Sequence, residues 1–227
     1  MYSWLITSAC RLTPKPARFC VSRRAQRITQ KRSGLGAAEA GVRAHQMSCK
    51  PRMETPKIYL RELQLSDVDS WYSYLSVPEV VEHTSWNLES KQDLENLATL
   101  YNLEDPESQI RFAIIDKSSG DLIGTIGFHS VSEASHSAEI AYDIHPDFWG
   151  RGIATQACNL VVEWGFKCRK FIRIQACILP SNLASENVLH KCGFVPEGIR
   201  SSFRKVRGEP KDFMLYSIAL KKGKDNS

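Results

Sequence analysis

The segment Ile144-His-Pro-Asp-Phe-Trp-Gly-Arg-Gly-Ile-Ala-Thr-Gln-Ala157 constrains the fold more than any other part of the chain. Upstream of it, Ala138–His145 alternates like a strand. Downstream, Ala157, Leu160, Val161 and Trp164 recur at helical spacing within Thr155–Lys167. A period of two gives way to a period of 3.6 across Gly150-Arg-Gly152, so a strand must feed a helix through a glycine loop. Glycines let main-chain N–H groups approach a ligand closely, and a helix N-terminus offers unpaired donors at its positive end. With Arg151 as an added cation, the segment reads chemically as a cradle for a pyrophosphate. A dinucleotide fingerprint is excluded, because Thr155 stands where the third glycine belongs, and the Gly-Lys-Ser/Thr of a P-loop is missing.

The remaining pattern places this unit in a mixed α/β domain. Ile58–Glu62 alternates as a first strand. Ser66-Asp-Val-Asp reads as the cap of a helix running through Trp71 to Leu75, and Pro78 breaks it before a short helix around Glu79–Glu82. Ser90 opens another helix that carries Leu94, Leu97, Ala98 and Tyr101. Arg111–Asp116, Leu122–Val131 and Ala138–His145 form an antiparallel meander with tight turns. After the glycine loop and its helix come a strand at Ile172–Leu179 and a helix at Ser185–Lys191 closed by Gly193. Two final strands follow, at Phe194–Phe203 and Phe213–Leu220. This order predicts one central, mostly antiparallel sheet flanked by helices.

Charge divides the 227 residues unevenly. Residues 1–52 carry 11 Lys+Arg against the single acid Glu39, whereas the other 19 bases face 24 acids, so the net +5 belongs to the first quarter. Without a sustained period, residues 1–55 read as a disordered basic extension. Three accounts stay open for it: an organelle transit segment or basic arm that touches nucleic acid or ribosomes, an inert tail, or an over-long reading frame with the start at Met47 or Met53. The globular domain is expected over 56–221, with a polar tail at 222–227. No apolar run approaches the roughly 18 residues of a membrane-spanning helix. Seven cysteines, an odd number without a CxxC pair, fit a reduced chain with small buried thiols and no metal centre. The expected location is the cytoplasm, or an organelle if the extension is a transit segment.

Three ordered motifs carry a family resemblance. Trp149-Gly-Arg-Gly-Ile-Ala154 is similar to the coenzyme A signature of the GNAT N-acetyltransferase superfamily, with Trp149 where Gln or Arg is usual. Asn182-Leu-Ala-Ser-Glu-Asn-Val-Leu-His-Lys-Cys-Gly-Phe194 is similar to the second signature, and Ala138–Ile144 to the central strand. The wording resembles the Rim-type branch, which acetylates the N-termini of ribosomal proteins, over Lys57–Leu220. The resemblance implies acetyl-CoA as cosubstrate and no metal. Gly150, Arg151, Gly152, Ile153, Ala154 and Thr155 would hold the pyrophosphate, Trp149 stands in the signature, and Asn182 would bond the pantetheine arm or a bridging water. The strand Tyr142–Ile144 would lie along that arm, and the Ile144 amide would polarise the thioester.

For the chemistry, the resemblance makes Glu139 the candidate general base. A tyrosine commonly serves as acid seven residues after the Asn, where this chain has Leu189. Ser185, three residues after Asn182, fills that role in the resembled branch, with Tyr142 as a further donor and His190 behind it. Trp86 is the candidate acceptor-binding residue, while Trp71 reads as core. Arg200, Arg204, Lys205 and Arg207 cluster near the last hairpin, either as a solvated loop or as an attraction for an acidic substrate or the cofactor 3′-phosphate. The implied activity is acetyl transfer to a primary amine, expected to be a protein or peptide N-terminus. A small-molecule amine (polyamine, amino acid or antibiotic) and a non-catalytic acyl-CoA-binding module are the alternatives, in a monomer or homodimer without membrane contact.

Overall fold

A computed structural model describes residues 53–82, 84 and 88–220; Trp86, the basic extension and the C-terminal tail lie outside the described residues. Seven strands form one sheet in the order β1-β2-β3-β4-β5-β7-β6: β1 Ile58–Glu62, β2 Ile110–Asp116, β3 Leu122–Ser132, β4 Ser137–Ile144, β5 Arg173–Ile178, β6 Val195–Val206 and β7 Glu209–Ala219. Neighbours are antiparallel except β4 and β5. The mixed, mostly antiparallel sheet is the architecture the sequence pattern predicts.

Helices cover both faces because the central strands are apolar on both. In β2, Ile110, Phe112 and Ile114 point to a core shared with Ala157, Val161 and Trp164 of α4 (Ile153–Lys167), whereas Ala113 and Ile115 join Trp71, Tyr74 and Leu75 of α1 (Val68–Leu75). The short α2 (Pro78–Val81) and α3 (Lys91–Leu100) complete the second layer, and α5 (Leu183–Lys191) sits beside α4. Trp164 lies edge-on to Phe112 at 5.2 Å between centroids and stacked on Phe128 at 6.1 Å. Burying each such large side chain contributes roughly 1.5–3 kcal/mol, which is what fixes α4 against the sheet.

Three boundaries differ from the pattern reading. The first helix is preceded by a 3-10 turn, Leu65–Asp67, whose box pairs Gln64 with Asp67 instead of opening at Ser66; Asp67 is buried because Arg61 grips both its oxygens at 2.6 and 2.7 Å. Helix α4 begins at Ile153, two residues early, because Gly152 at φ 74° lets the chain enter the helix directly. The last hairpin is longer than expected. Arg207 and Gly208 both have positive φ, 50° and 86°, giving the two-residue turn whose twist suits a hairpin. Strands β6 and β7 therefore run to the tip, and Arg204 and Lys205 sit on a strand and not in a solvated loop.

Candidate active site

The glycine loop ends in a ready anion site. Gly152 caps α4 without a side-chain hydrogen bond, and the first backbone bond into the helix runs from Gln156 N–H to the Gly152 carbonyl. The amides of Ile153, Ala154 and Thr155 thus precede the intrahelical ladder and point out of the helix end. A Cβ built on Gly150 or Gly152 would meet nothing within 4 Å, so the space above the loop is open to a ligand. Arg151 is exposed, its guanidinium 4.9 Å from the centre of the Phe148 ring. These features fit the pyrophosphate of a coenzyme A group. Trp149 is half-exposed and donates its indole N–H to the Ile144 carbonyl at 2.8 Å, tying the loop to the end of β4.

Strands β4 and β5 pair only over Ser137–Glu139 and Arg173–Gln175, then part. On its other edge β4 stays paired with β3 through to Ile144 opposite Gly124. His145 donates to the Ile123 carbonyl at 2.9 Å, which fixes the phase of that antiparallel ladder. By alternation, the amides of Asp143 and Ala141 face β3 and those of Ile144 and Tyr142 face the gap beside β5. The gap therefore offers main-chain groups to an extended ligand arm, as strand addition does.

Side chains alternate across β4 and separate the candidates onto two faces. On the helix α4–α5 side, the Tyr142 hydroxyl donates to the Ser185 carbonyl at 3.4 Å, and Asn182 caps α5 by accepting from the Ser185 amide at 2.9 Å. Burial pushes the Tyr142 phenol up, so it stays protonated and able to donate. Ser185 is half-buried. His190, the backup donor, is half-exposed, 3.7 Å from Glu186 and edge-on to Tyr216, as a helix-surface imidazole.

Glu139 is on the opposite face, 4% exposed. Arg204 of β6 holds its Oε1 at 2.8 Å, Gln175 Nε2 donates to Oε2 at 3.2 Å, and His129 Nε2 stands 3.1 Å from Oε1. His129 is the unpaired residue of a bulge between Phe128 and Ser130, and burial lowers its imidazole to about 4, against the raising effect of Glu139. It is a neutral donor at ordinary pH, and its Nδ1 is buried with no hydrogen-bond partner among the described residues. Cys177, a free thiol of β5, lies near Glu139; burial first and then Glu139 push it up to about 12. It is too weakly acidic to act as a thiolate nucleophile.

Four residues further along β4, Asp143 lies on the same face. Arg111 pairs with its Oδ2, Thr125 donates to Oδ2 at 2.8 Å, Tyr74 donates its hydroxyl to Oδ1, and Trp71 Nε1 is 3.3 Å from Oδ1. Trp71 is thus core, as expected, but anchored to a buried charge. The geometry brings Tyr142, Ser185 and Asn182 together on one face of β4 and ties the loop 149–155 to Ile144 through Trp149, whereas Glu139 lies on the opposite face, where β4 and β5 still pair. Pattern reading missed His129 and Gln175, and it named Arg204 only within the basic cluster, not as a partner of Glu139. Among the described residues no group of three His, Cys, Asp or Glu side chains is placed to hold a metal ion, and no helix is long and apolar enough to cross a membrane.

A family model described as an acetyltransferase (GNAT) domain matches residues 57–195. The uncharacterized N-acetyltransferase YoaA of Bacillus subtilis is 34% identical over 170 residues, 74% of this chain and 96% of that one. The crystal structure of ribosomal-protein-S5-alanine acetyltransferase from Vibrio fischeri superposes with a TM-score of 0.62 at 25% identity, over 73% of this chain and 94% of that one. A spermidine N-acetyltransferase from Vibrio cholerae, solved with CoA and spermine, shares the fold at a TM-score of 0.65 and 22% identity, over 73% of this chain and 96% of that one. The open helix end, the parted strands and these likenesses agree: the chain belongs to the GNAT acetyltransferase family and is an acetyl-CoA-dependent N-acetyltransferase.

Proposed function

We propose that the domain over 56–221 acetylates the N-terminal α-amine of a protein or peptide by direct attack on the acetyl-CoA thioester. The observation that carries this reading is Glu139, a buried carboxylate held by three neighbours on β4 at the point where β4 and β5 begin to part. An α-amine, with a pKa of about 7.7–8.0, is already neutral in roughly a quarter of molecules near pH 7.4, so a carboxylate acting directly or through one water suffices to take its proton. The Ile144 amide would polarise the thioester carbonyl. The Ser185 hydroxyl, backed by the Tyr142 phenol, would return a proton to the departing thiolate. The amides of residues 151–155 would bind the pyrophosphate and Asn182 the pantetheine.

Thiol release from acetyl-CoA, measured against peptides with free N-termini, blocked peptides carrying lysine, and polyamines, tests the acceptor. Release with free N-termini alone supports the reading; release with polyamines alone replaces it. Glu139→Gln is expected to lower kcat at least tenfold while calorimetric binding of acetyl-CoA persists, and an unchanged kcat would return Glu139 to a structural role.

A further inference from the structure

The last hairpin brings a second guanidinium to the surroundings of Glu139. Arg200 and Arg204 both lie over the Phe203 ring, at 4.8 and 4.7 Å from its centre. Arg200 pairs with Phe213 in the register and Arg204 with Lys211, which puts both on the Glu139 face of the sheet. Their charges do not cancel alike. Arg204 is matched by Glu139 at 2.8 Å, and neighbouring Arg173 is matched by Glu197 through two contacts of 2.6 Å. Arg200 has no carboxylate within 4 Å among the described residues, and its field still reaches Glu197 and the Cys177 thiol near Glu139. The hairpin is anchored at its tip, where Arg207 donates to the Val81 carbonyl at the end of α2 at 2.6 Å.

The geometry points to an anion subsite at Arg200 that selects acceptors with an acidic side chain within the first few residues after the amine. The proposal rests on the peptide reading above. Two guanidinium groups over one ring are separated by at most about three residues of extended peptide, at roughly 3.3–3.6 Å each. A terminal amine at Glu139 therefore places residues two to four of an acceptor within reach of Arg200. Proton uptake by Glu139 removes the partner charge of Arg204, so the site gains positive charge as reaction proceeds. An acidic acceptor offsets that gain, and a polycation such as a polyamine adds to it. A planar fork suits a carboxylate better than a diffuse field would.

The test uses the full chain, acetyl-CoA and seven-residue peptides that begin with Ala and differ only at positions two to four, with Asp, Gln or Lys there, beside spermidine. The expected order of kcat/KM is Asp above Gln above Lys, at least tenfold from first to last, with the gap narrowing in 0.5 M salt, about a 4 Å Debye length. Arg200→Gln should raise KM for the Asp peptide and spare kcat for the Gln peptide, and Arg200→Glu should favour the Lys peptide. Equal rates with all three peptides overturn the subsite and leave the peptide reading standing. Spermidine as the sole acceptor overturns both, and the wild-type panel decides even if a variant does not fold.

Discussion

Strand β4 carries two buried carboxylates on one face, Glu139 and Asp143, and their surroundings are opposite in kind. The Asp143 side chain is 1% exposed and the Arg111 side chain 3%, and every oxygen of Asp143 is engaged by a residue of the surrounding core. Glu139 pairs with an arginine whose side chain is 30% exposed and which comes from the hairpin at the sheet edge. One ion pair is sealed, and the other reaches solvent through its arginine. Burial of the carboxylate alone therefore does not separate the two; the partner's access to solvent does.

The comparison breaks first at Asp143. Asp143→Ala leaves Arg111 uncompensated in the core and should lower stability by about 3–5 kcal/mol, read as a large fall in Tm; a small fall would mean the network is not sealed. Next, the surroundings of Glu139 should reveal themselves through pH. The His129 imidazole is lowered from 6.5 to about 4, so the unfolded chain binds a proton that the folded chain refuses. The stability this imidazole contributes is complete above pH 6.5 and is lost as pH falls through 4, by about 2 kcal/mol after allowance for partial exposure. His129→Gln should flatten that portion of the Tm–pH curve. Glu139→Gln should cost at least about 1.4 kcal/mol in activation free energy, the tenfold in kcat, while moving Tm far less than Asp143→Ala does. Smallest is Tyr74→Phe, which removes one donor from Asp143 and should cost about 1 kcal/mol of stability with kcat unchanged.

What sequence could reveal follows from distance along the chain. The strand, glycine loop and helix of 138–167 were legible because their signals are local and periodic, and Ser90 was legible as a cap, its box with Asp93 being three residues wide. The partners of Glu139 were not. Arg204 is 65 residues away and reaches it only because Arg207-Gly208 turns tightly enough to keep Arg204 on a strand. His129 read as one more residue of an alternating strand, and a one-residue bulge re-aims it. Asp143 fitted the same alternation as Glu139, and nothing near it in sequence distinguishes a carboxylate sealed in the core from one whose arginine partner reaches solvent.

The indole of Trp149 has a mechanical consequence. The carbonyl it grips belongs to Ile144, the residue whose amide is proposed to face the thioester. Pinning one end of a residue limits rotation at the other, so under the proposed binding mode a shift of the loop would be felt at the thioester. In the proposed site, the tryptophan that stands where glutamine or arginine is usual would act as a set-screw between the handle of the cosubstrate and its reactive tip, and Trp149→Phe, which keeps the ring and loses the N–H, would loosen it.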